Sequence, residues 1–271
     1  YLDLLSGKVF ATFVSKSSDK LISEIVSLGI KEVVVTSDFD NSITKVLKNN
    51  YNIYVSIYDK DYSNINRSKV SNLADAKLED NTLKLISYIT FNQKKEINHL
   101  MKPVIVNSKD YLSLNKECIR NLELVETIRN KDKMYSLLWF LDKTKTSMGS
   151  RMLKEFILKP VVSEEEIDKR HDLIDLFKKE FMSISELRDF LYQIYDLERL
   201  VGKVSINTLN GRDLLQLKSS LGVLPDINLI LENIGLEKVE TFSELYELLD
   251  KSIDLDAPVT IKEGGLIKDG F

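Results

Sequence analysis

The sequence predicts an α/β layer followed by an all-α, multi-helix domain, and three observations carry that prediction. Short β-branched runs alternate with helical ones through the first 105 or so residues, and from Asn107 onward the strand signal nearly vanishes. The third is length: 271 residues lie near the upper limit for one core and favour two. The expected domains are residues 1–105 and residues 106–271.

The first elements follow from local pattern. LDLLSGKVFATFV (2–14) reads as two strands joined at Ser6-Gly7. Ser18 is placed as the cap of a helix with apolar positions Leu21, Ile22, Ile25, Val26 and Leu28, stopped by Gly29. KEVVVTS (31–37) suits a buried strand. A helix through Ile43, Val46 and Leu47, the strand YNIYVSIY (51–58), a polar loop (59–73) and a helix through Leu83, Ile86 and Ile89 complete the alternation. Such alternation implies a partly parallel sheet.

The second half is punctuated by helix starts. Ser163-Glu164-Glu165-Glu166 is a capping-box pattern ahead of Ile167, Leu173, Ile174 and Phe177. Ser183-Ile184-Ser185-Glu186 and Thr241-Phe242-Ser243-Glu244 carry the same pattern. Asn210-Gly211 breaks the chain before Leu214, Leu215, Leu217 and Leu221, and Pro225 is expected past that helix's end. No fixed repeat period appears, which speaks against a helical solenoid.

Composition excludes several function classes. With 43% apolar and 30% charged residues, 4 Pro and 10 Gly, the chain reads as globular and helix-rich. A net charge of −4 argues against a dedicated nucleic-acid module. Residues 1–105 carry a net +2 and residues 106–271 a net −6, so neither half is a polycation. The lone Cys118 excludes an internal disulfide framework and fits a reducing compartment, while His99 and His171 have no cysteine partner at zinc spacing. No run approaches a membrane span and no signal core opens the chain. The start YLDLLSGKVF reads as mid-strand, so a fragment is expected.

Catalytic chemistry is sparse. Neither GxGxxG nor GxxxxGK[ST] occurs, and Glu263-Gly264-Gly265-Leu266 reads as a turn rather than a phosphate cradle. Asp3 and Asp38 are the only strand-borne carboxylates that point toward a metal-dependent nuclease, whose two-ion chemistry needs more acids; strand-end or capping roles fit them better. His99 and His171 read as surface or core-edge residues rather than bases.

The stretch SLLWFLDKTKTSMGSRMLKEFILKP (136–160) is more pointed. Met134, Leu137, Leu138 and Leu141, and beyond the corner Met148, Met152, Leu153, Phe156 and Ile157, repeat at helical spacing and are expected to be buried helix faces. Residues 131–159 hold seven positive and three negative side chains. Two readings stand. Lys143, Lys145, Arg151 and Lys154 touch phosphate, or a helix breaks at the Thr-rich corner and its basic residues pair with the acidic surface of the same domain; the second is favoured.

That same stretch resembles the core-domain signature of the MutS family of DNA mismatch-recognition ATPases. Arg120-Asn121-Leu122-Glu123-Leu124 is similar to the family's RNLEL, and YDLERLVGKV (195–204) and GRDLLQLKSSL (211–221) to its later helices. Upstream, LISYITFNQKKEINHLMKP (85–103) resembles the family's LLxYL…TQ…LxHL segment and YLDLLSGKVF the start of its connector domain, and EGGLIKDGF resembles the passage from core to clamp. The likeness covers essentially the whole chain. It departs at Asn92-Gln93, where Thr-Gln is usual, and at Ser147, where Pro is common.

The resemblance implies a ribonuclease-H-like α/β connector (1–105) without catalytic acids, then a helical core, or lever (106–271), ending at the entry to the clamp. Its motif positions are implied to be structural and coupling residues: Arg120, Asn121, Leu122 and Glu123; Asp142, Thr144, Thr146, Met148, Gly149 and Arg151; and Asp196, Leu197, Glu198 and Arg199. From the local charge, Lys143, Lys145 and Lys154 stay candidates for weak phosphate contact. No catalytic, cofactor or metal residue is expected in this piece. ATP and Mg would belong to the parent's ATPase domain, DNA contacts mainly to its other domains, and the connector would offer a surface to MutL. A bacterial cytoplasmic protein, homodimeric as the parent, is implied, with no membrane partner and with the fragment's own oligomeric state open. Two alternatives remain: a MutS relative that acts in recombination without reading mismatches, and a metal-dependent nucleic-acid-processing α/β domain.

Overall fold

A β–α–β crossover organises the first half of the protein in a computed structural model, which describes residues 1–4, 6–14, 16–62, 65, 67–93, 100–106, 111–112, 114–205, 207–258 and 263–271. The chain forms two compact units, residues 1–140 with 157–162, and residues 141–156 with 163–271.

In the first unit, strands β2 (Glu32–Val35) and β3 (Tyr54–Ile57) pair in parallel, with Val33 opposite Val55 and Val35 opposite Ile57. Helix α2 (Asn41–Tyr51) makes the crossover. Asp40 caps it by accepting from the Ser42 amide at 2.8 Å, and Asn52, at φ +54°, closes it while its amide donates to the Lys48 carbonyl. Helix α1 (Ser18–Ser27) ends as expected, with Gly29 at φ +66°. Ser18, however, is its first helical residue; Ser17 holds the cap position and makes no side-chain cap bond. Val35, Ile43, Leu47, Ile53 and Val55 form the core between these elements, with Leu21, Ile22 and Ile25 packed on it.

Strand β1 (Phe10–Ala11) pairs in parallel with β4 (Val104–Ile105). The expected opening hairpin is short: among the described residues its antiparallel part is a single Leu2–Val9 bridge, with Gly7 at φ +69° in the turn. Asp3 serves that turn, accepting from the Ser6 hydroxyl at 2.9 Å. Helix α3 (Ala76–Gln93) buries Leu78, Leu83 and Ile86 against Ala11, Val70 and Leu73. The polar loop ahead of it contains a 3₁₀ turn (Arg67–Val70). A short helix α4 (Lys116–Asn121) and helix α5 (Leu137–Leu141) follow.

The second unit is helical. Helix α6 (Ser147–Leu158) enters it, followed by α7 (Glu164–Lys179), α8 (Phe181–Tyr192), α9 (Leu197–Ser205), α10 (Gly211–Gly222), α11 (Leu224–Asn233) and α12 (Ser243–Ser252). Leu221, Val223, Leu224, Ile227, Leu249, Ile253 and Ala257 form its core. An antiparallel Ile253–Ile267 bridge returns the C-terminal segment onto the end of α12. Residues 211–233 are long and apolar enough to cross a membrane, but they are two helices interrupted at Val223, and their apolar residues supply this core.

Several helix starts differ from expectation. Ser163 does cap α7, accepting from the Glu166 amide at 3.4 Å. Ser183 and Ser185 lie inside α8, which follows α7 directly through Glu180, so no capping loop separates them. Phe242, in the left-handed region at φ +49°, takes the cap position of α12 and makes no side-chain cap bond. Pro225 lies past the end of α10, as expected, and falls in the first turn of α11, where its missing N–H costs nothing.

Candidate functional site

The corner between α5 and α6 is held by the side chains of Asp142, Thr144, Thr146 and Ser150. Asp142 accepts from the Thr144 hydroxyl at 2.6 Å and the Thr144 amide at 3.3 Å through one oxygen. Its other oxygen accepts from the Ser150 hydroxyl at 2.7 Å. The Thr146 hydroxyl accepts from the Gly149 amide at 2.9 Å, the N-cap bond of α6. A Cβ on Gly149 would stand 3.0 Å from that hydroxyl and 3.3 Å from the Thr144 Cβ, so the residue's smallness keeps the cap intact.

One turn into α6, Arg151 reaches the start of α9. Its Nη1 and Nη2 each donate to one oxygen of Asp196 at 2.7 Å, and Nη2 and Nε donate to Glu198 Oε2 at 2.7 and 3.2 Å. This is the planar fork of a guanidinium matched to a carboxylate, with a second acid closing it. Asp196 is also the N-cap of α9: one oxygen accepts from the Arg199 amide at 3.3 Å, and the Arg199 guanidinium stands 3.4 Å from the other. The Arg151 guanidinium holds the Asp196 carboxyl below the usual carboxylate range, outweighing the opposing effect of burial. The two acids in turn raise Arg151 above its ordinary value. Glu198, in the first turn of α9, also suits the positive end of the helix dipole.

The RNLEL motif does different work, in the first unit. Leu124 is buried, and the Glu123 side chain accepts from the Ile128 amide at 2.7 Å while its backbone sits at φ +48°. The carbonyls of Glu123 and Leu124 accept from the amides of Leu137 and Leu138 at 3.0 and 2.9 Å. Ser136, 1% exposed, accepts from the Trp139 amide through its hydroxyl, so the first three amides of α5 all find partners. The motif therefore supplies the acceptors that a short helix cannot supply itself. Arg120, Asn121 and Leu122 are exposed.

The structure thus brings Asp142, Thr144, Thr146, Gly149, Arg151, Asp196, Glu198 and Arg199 into one joint. Met148 and Leu197 lie beside it on the same two helices, half-buried. Lys143, Lys145 and Lys154 are exposed, and the Lys143 carbonyl accepts from Arg188 at 3.0 Å. Sequence reasoning passed over Ser136, Ser150 and the Asn210–Asp213 capping box. Ser136 immediately before LLWFL and Asn210 three residues before an Asp were the available signals.

The expected burial of both flanking helix faces is corrected. Leu138 is 4% exposed, but Met134, Leu137, Leu141, Met152 and Phe156 are all open to solvent, Met152 at 57%, and α6 buries none of its residues. The spacing marks an apolar stripe and says nothing of what covers it. Met134 also precedes α5 instead of lying on it. Asp38 is exposed past the end of β2, its carboxyl held low by a hydrogen bond with Thr36. Among the described residues no group of three or more His, Cys, Asp or Glu could hold a metal ion. His171 is exposed on α7, and His99 lies outside the described residues.

Comparison with known proteins gives one consistent family. Residues 117–269 match the model of MutS domain III. Over the full chain the protein is 38% identical to a DNA mismatch repair protein MutS of Oceanobacillus iheyensis, covering 32% of that protein. It is 35% identical to one of Acetivibrio thermocellus, of which it covers 34%, and 34% identical to one of Clostridium novyi, of which it covers 32%. The chain therefore spans only a third or so of the length of these relatives.

Proposed function

The chain belongs to the MutS family, with domain III at residues 117–269, and from that premise we propose that it is the connector and lever of a DNA mismatch-recognition ATPase. In this reading the piece is non-catalytic. It couples an ATPase domain, which uses ATP and Mg, to a clamp and a mismatch-reading domain elsewhere in a homodimeric bacterial cytoplasmic parent. Nucleotide state and DNA binding then become reciprocally coupled sites.

The observation that carries the reading is the Arg151 fork. A lever transmits displacement only if its helices keep a fixed angle, and a bidentate, partly buried pair from α6 to the cap of α9 resists shear as a single contact would not. The side-chain-bonded corner from Asp142 to Ser150 supports the same role, because each cap bond fixes where α6 begins. Packing and hydrogen bonding, more than net positive charge, are then what the DKTKTSMGSR corner contributes.

The α/β half is assigned a ribonuclease-H-like fold and the MutL-facing surface, within residues 1–105; the parallel β2–α2–β3 crossover supports the fold. The relatives' name, DNA mismatch repair protein, favours repair over recombination. The test is Gly149→Val in the full-length parent, measuring ATP-dependent release of mismatched DNA. Slowed or lost release with DNA affinity retained is expected. Release kinetics identical to wild type would defeat the lever assignment.

A further inference from the structure

Asn210-Gly211 is the one Asn-Gly pair in the sequence, and none of the roles above uses it. Asn-Gly is chemically labile because glycine leaves its backbone nitrogen unhindered. That nitrogen can attack the asparagine side-chain carbonyl carbon, forming a C–N bond, breaking the Cγ–Nδ2 bond and expelling ammonia, while water takes the amide proton. Water then opens the resulting succinimide at either carbonyl, leaving an aspartyl or an isoaspartyl residue. The net change is one water consumed and one ammonia released, with no oxidant.

The fold places this pair at the start of α10 and opposes each requirement of the reaction. Ring closure needs Cβ and the Gly211 nitrogen nearly eclipsed about the Asn210 Cα–C bond, but at ψ 176° they are staggered. The Asn210 side-chain oxygen is held by the Asp213 amide at 2.9 Å, and the Asn210 amide donates to Asp213 Oδ2 at 3.1 Å. Asp213 is itself buried and fixed by Lys203 at 2.7 Å. The product has no room either. Gly211 is closely packed, since a Cβ on it would lie 2.5 Å from Leu266 Cδ1 and 2.7 Å from Ala257 Cβ, so the shift of Gly211 that an extra backbone methylene at residue 210 imposes would run into the returning C-terminal segment.

We propose that Asn210-Gly211 is a latent deamidation site gated by the Asn210–Asp213 capping box, so that conversion follows local opening of the α10 N-terminus and, once made, prevents its re-closure. The site takes water as its only co-reactant. It would mark molecules whose second unit has opened.

The test incubates the full chain at mildly alkaline pH, folded and in urea, and follows the peptide containing Asn210 by mass spectrometry, with chromatography to separate isoaspartyl product. Folded protein should convert more than roughly tenfold more slowly than unfolded protein. Asp213→Ala, which removes the reciprocal cap, should speed conversion of the folded chain roughly fivefold. Asp213→Asn serves as a milder second variant, and if neither folds, the folded-against-urea comparison of the wild type decides. Equal rates in folded and unfolded wild type would overturn the proposal, as would a folded Asp213 variant no faster than wild type.

Discussion

Replacing Arg151 by Ala removes four donor contacts to Asp196 and Glu198 and leaves Asp196, its side chain 18% exposed, with the Arg199 amide and a longer contact to the Arg199 guanidinium. A fully exposed pair would contribute ~0.2–1 kcal/mol, and breaking a fully buried one costs ~3–5 kcal/mol. Arg151, at 39% exposure, is screened by solvent on one side, so the loss is placed between those limits at about 2 kcal/mol. For a helical unit of this size that corresponds to a fall in Tm of roughly 4–8 °C. Trp139 lies in the other unit, so the readout should be far-UV circular dichroism, with each transition fitted separately if two appear. A double-mutant cycle with Asp196→Ala isolates the pair from the N-cap that Asp196 also supplies, and a coupling above ~1 kcal/mol is expected. Strict additivity, or a single-mutant loss under ~0.5 kcal/mol, would reduce the fork to an ordinary surface ion pair and remove the physical basis of the lever joint.

Four further outcomes are expected. The depressed folded value of Asp196 means that its contribution is fully present above its unfolded pKa of ~3.9 and is lost as pH falls through the folded value. The stability gap between wild type and Asp196→Asn in urea titrations should therefore be constant from neutral pH to about pH 5 and close in more acidic buffer. Gly211→Ala gains ~1 kcal/mol of helix propensity but forces overlaps at 2.5 and 2.7 Å costing ~1–3 kcal/mol, so chemical denaturation should show net destabilisation. In Gly149→Ala the propensity gain of ~1 kcal/mol is set against crowding of the Thr146 cap, predicting a change within ~1 kcal/mol in the same assay, whereas Gly149→Val should be clearly destabilising. Asn228 donates to the Val239 carbonyl at 2.7 Å and accepts from the Val239 amide at 2.8 Å; Asn228→Asp loses the donor, so limited proteolysis should cut residues 236–240 faster, at a stability cost of about 1 kcal/mol.

By itself the sequence determined what depends on near neighbours. The β2–α2–β3 alternation, the stop of α1 at Gly29 and the cap of α7 at Ser163 were legible because periodicity and terminal hydrogen bonding act within a few residues, whereas the family motifs were legible by resemblance alone. The start of α8 was misread because a Ser-x-x-Glu pattern is the same whether the preceding residue is loop or helix, and only the path of the chain distinguishes them; at α12 the cap position falls on Phe242, one residue after the expected Thr241. Tertiary structure alone decided the partners. Arg151 and Asp196 lie 45 residues apart, and nothing local to either marks it as half of a fork. The apolar stripes of α5 and α6 were visible, but their exposure was not, since a helical repeat records an apolar face and burial depends on what distant segments bring against it.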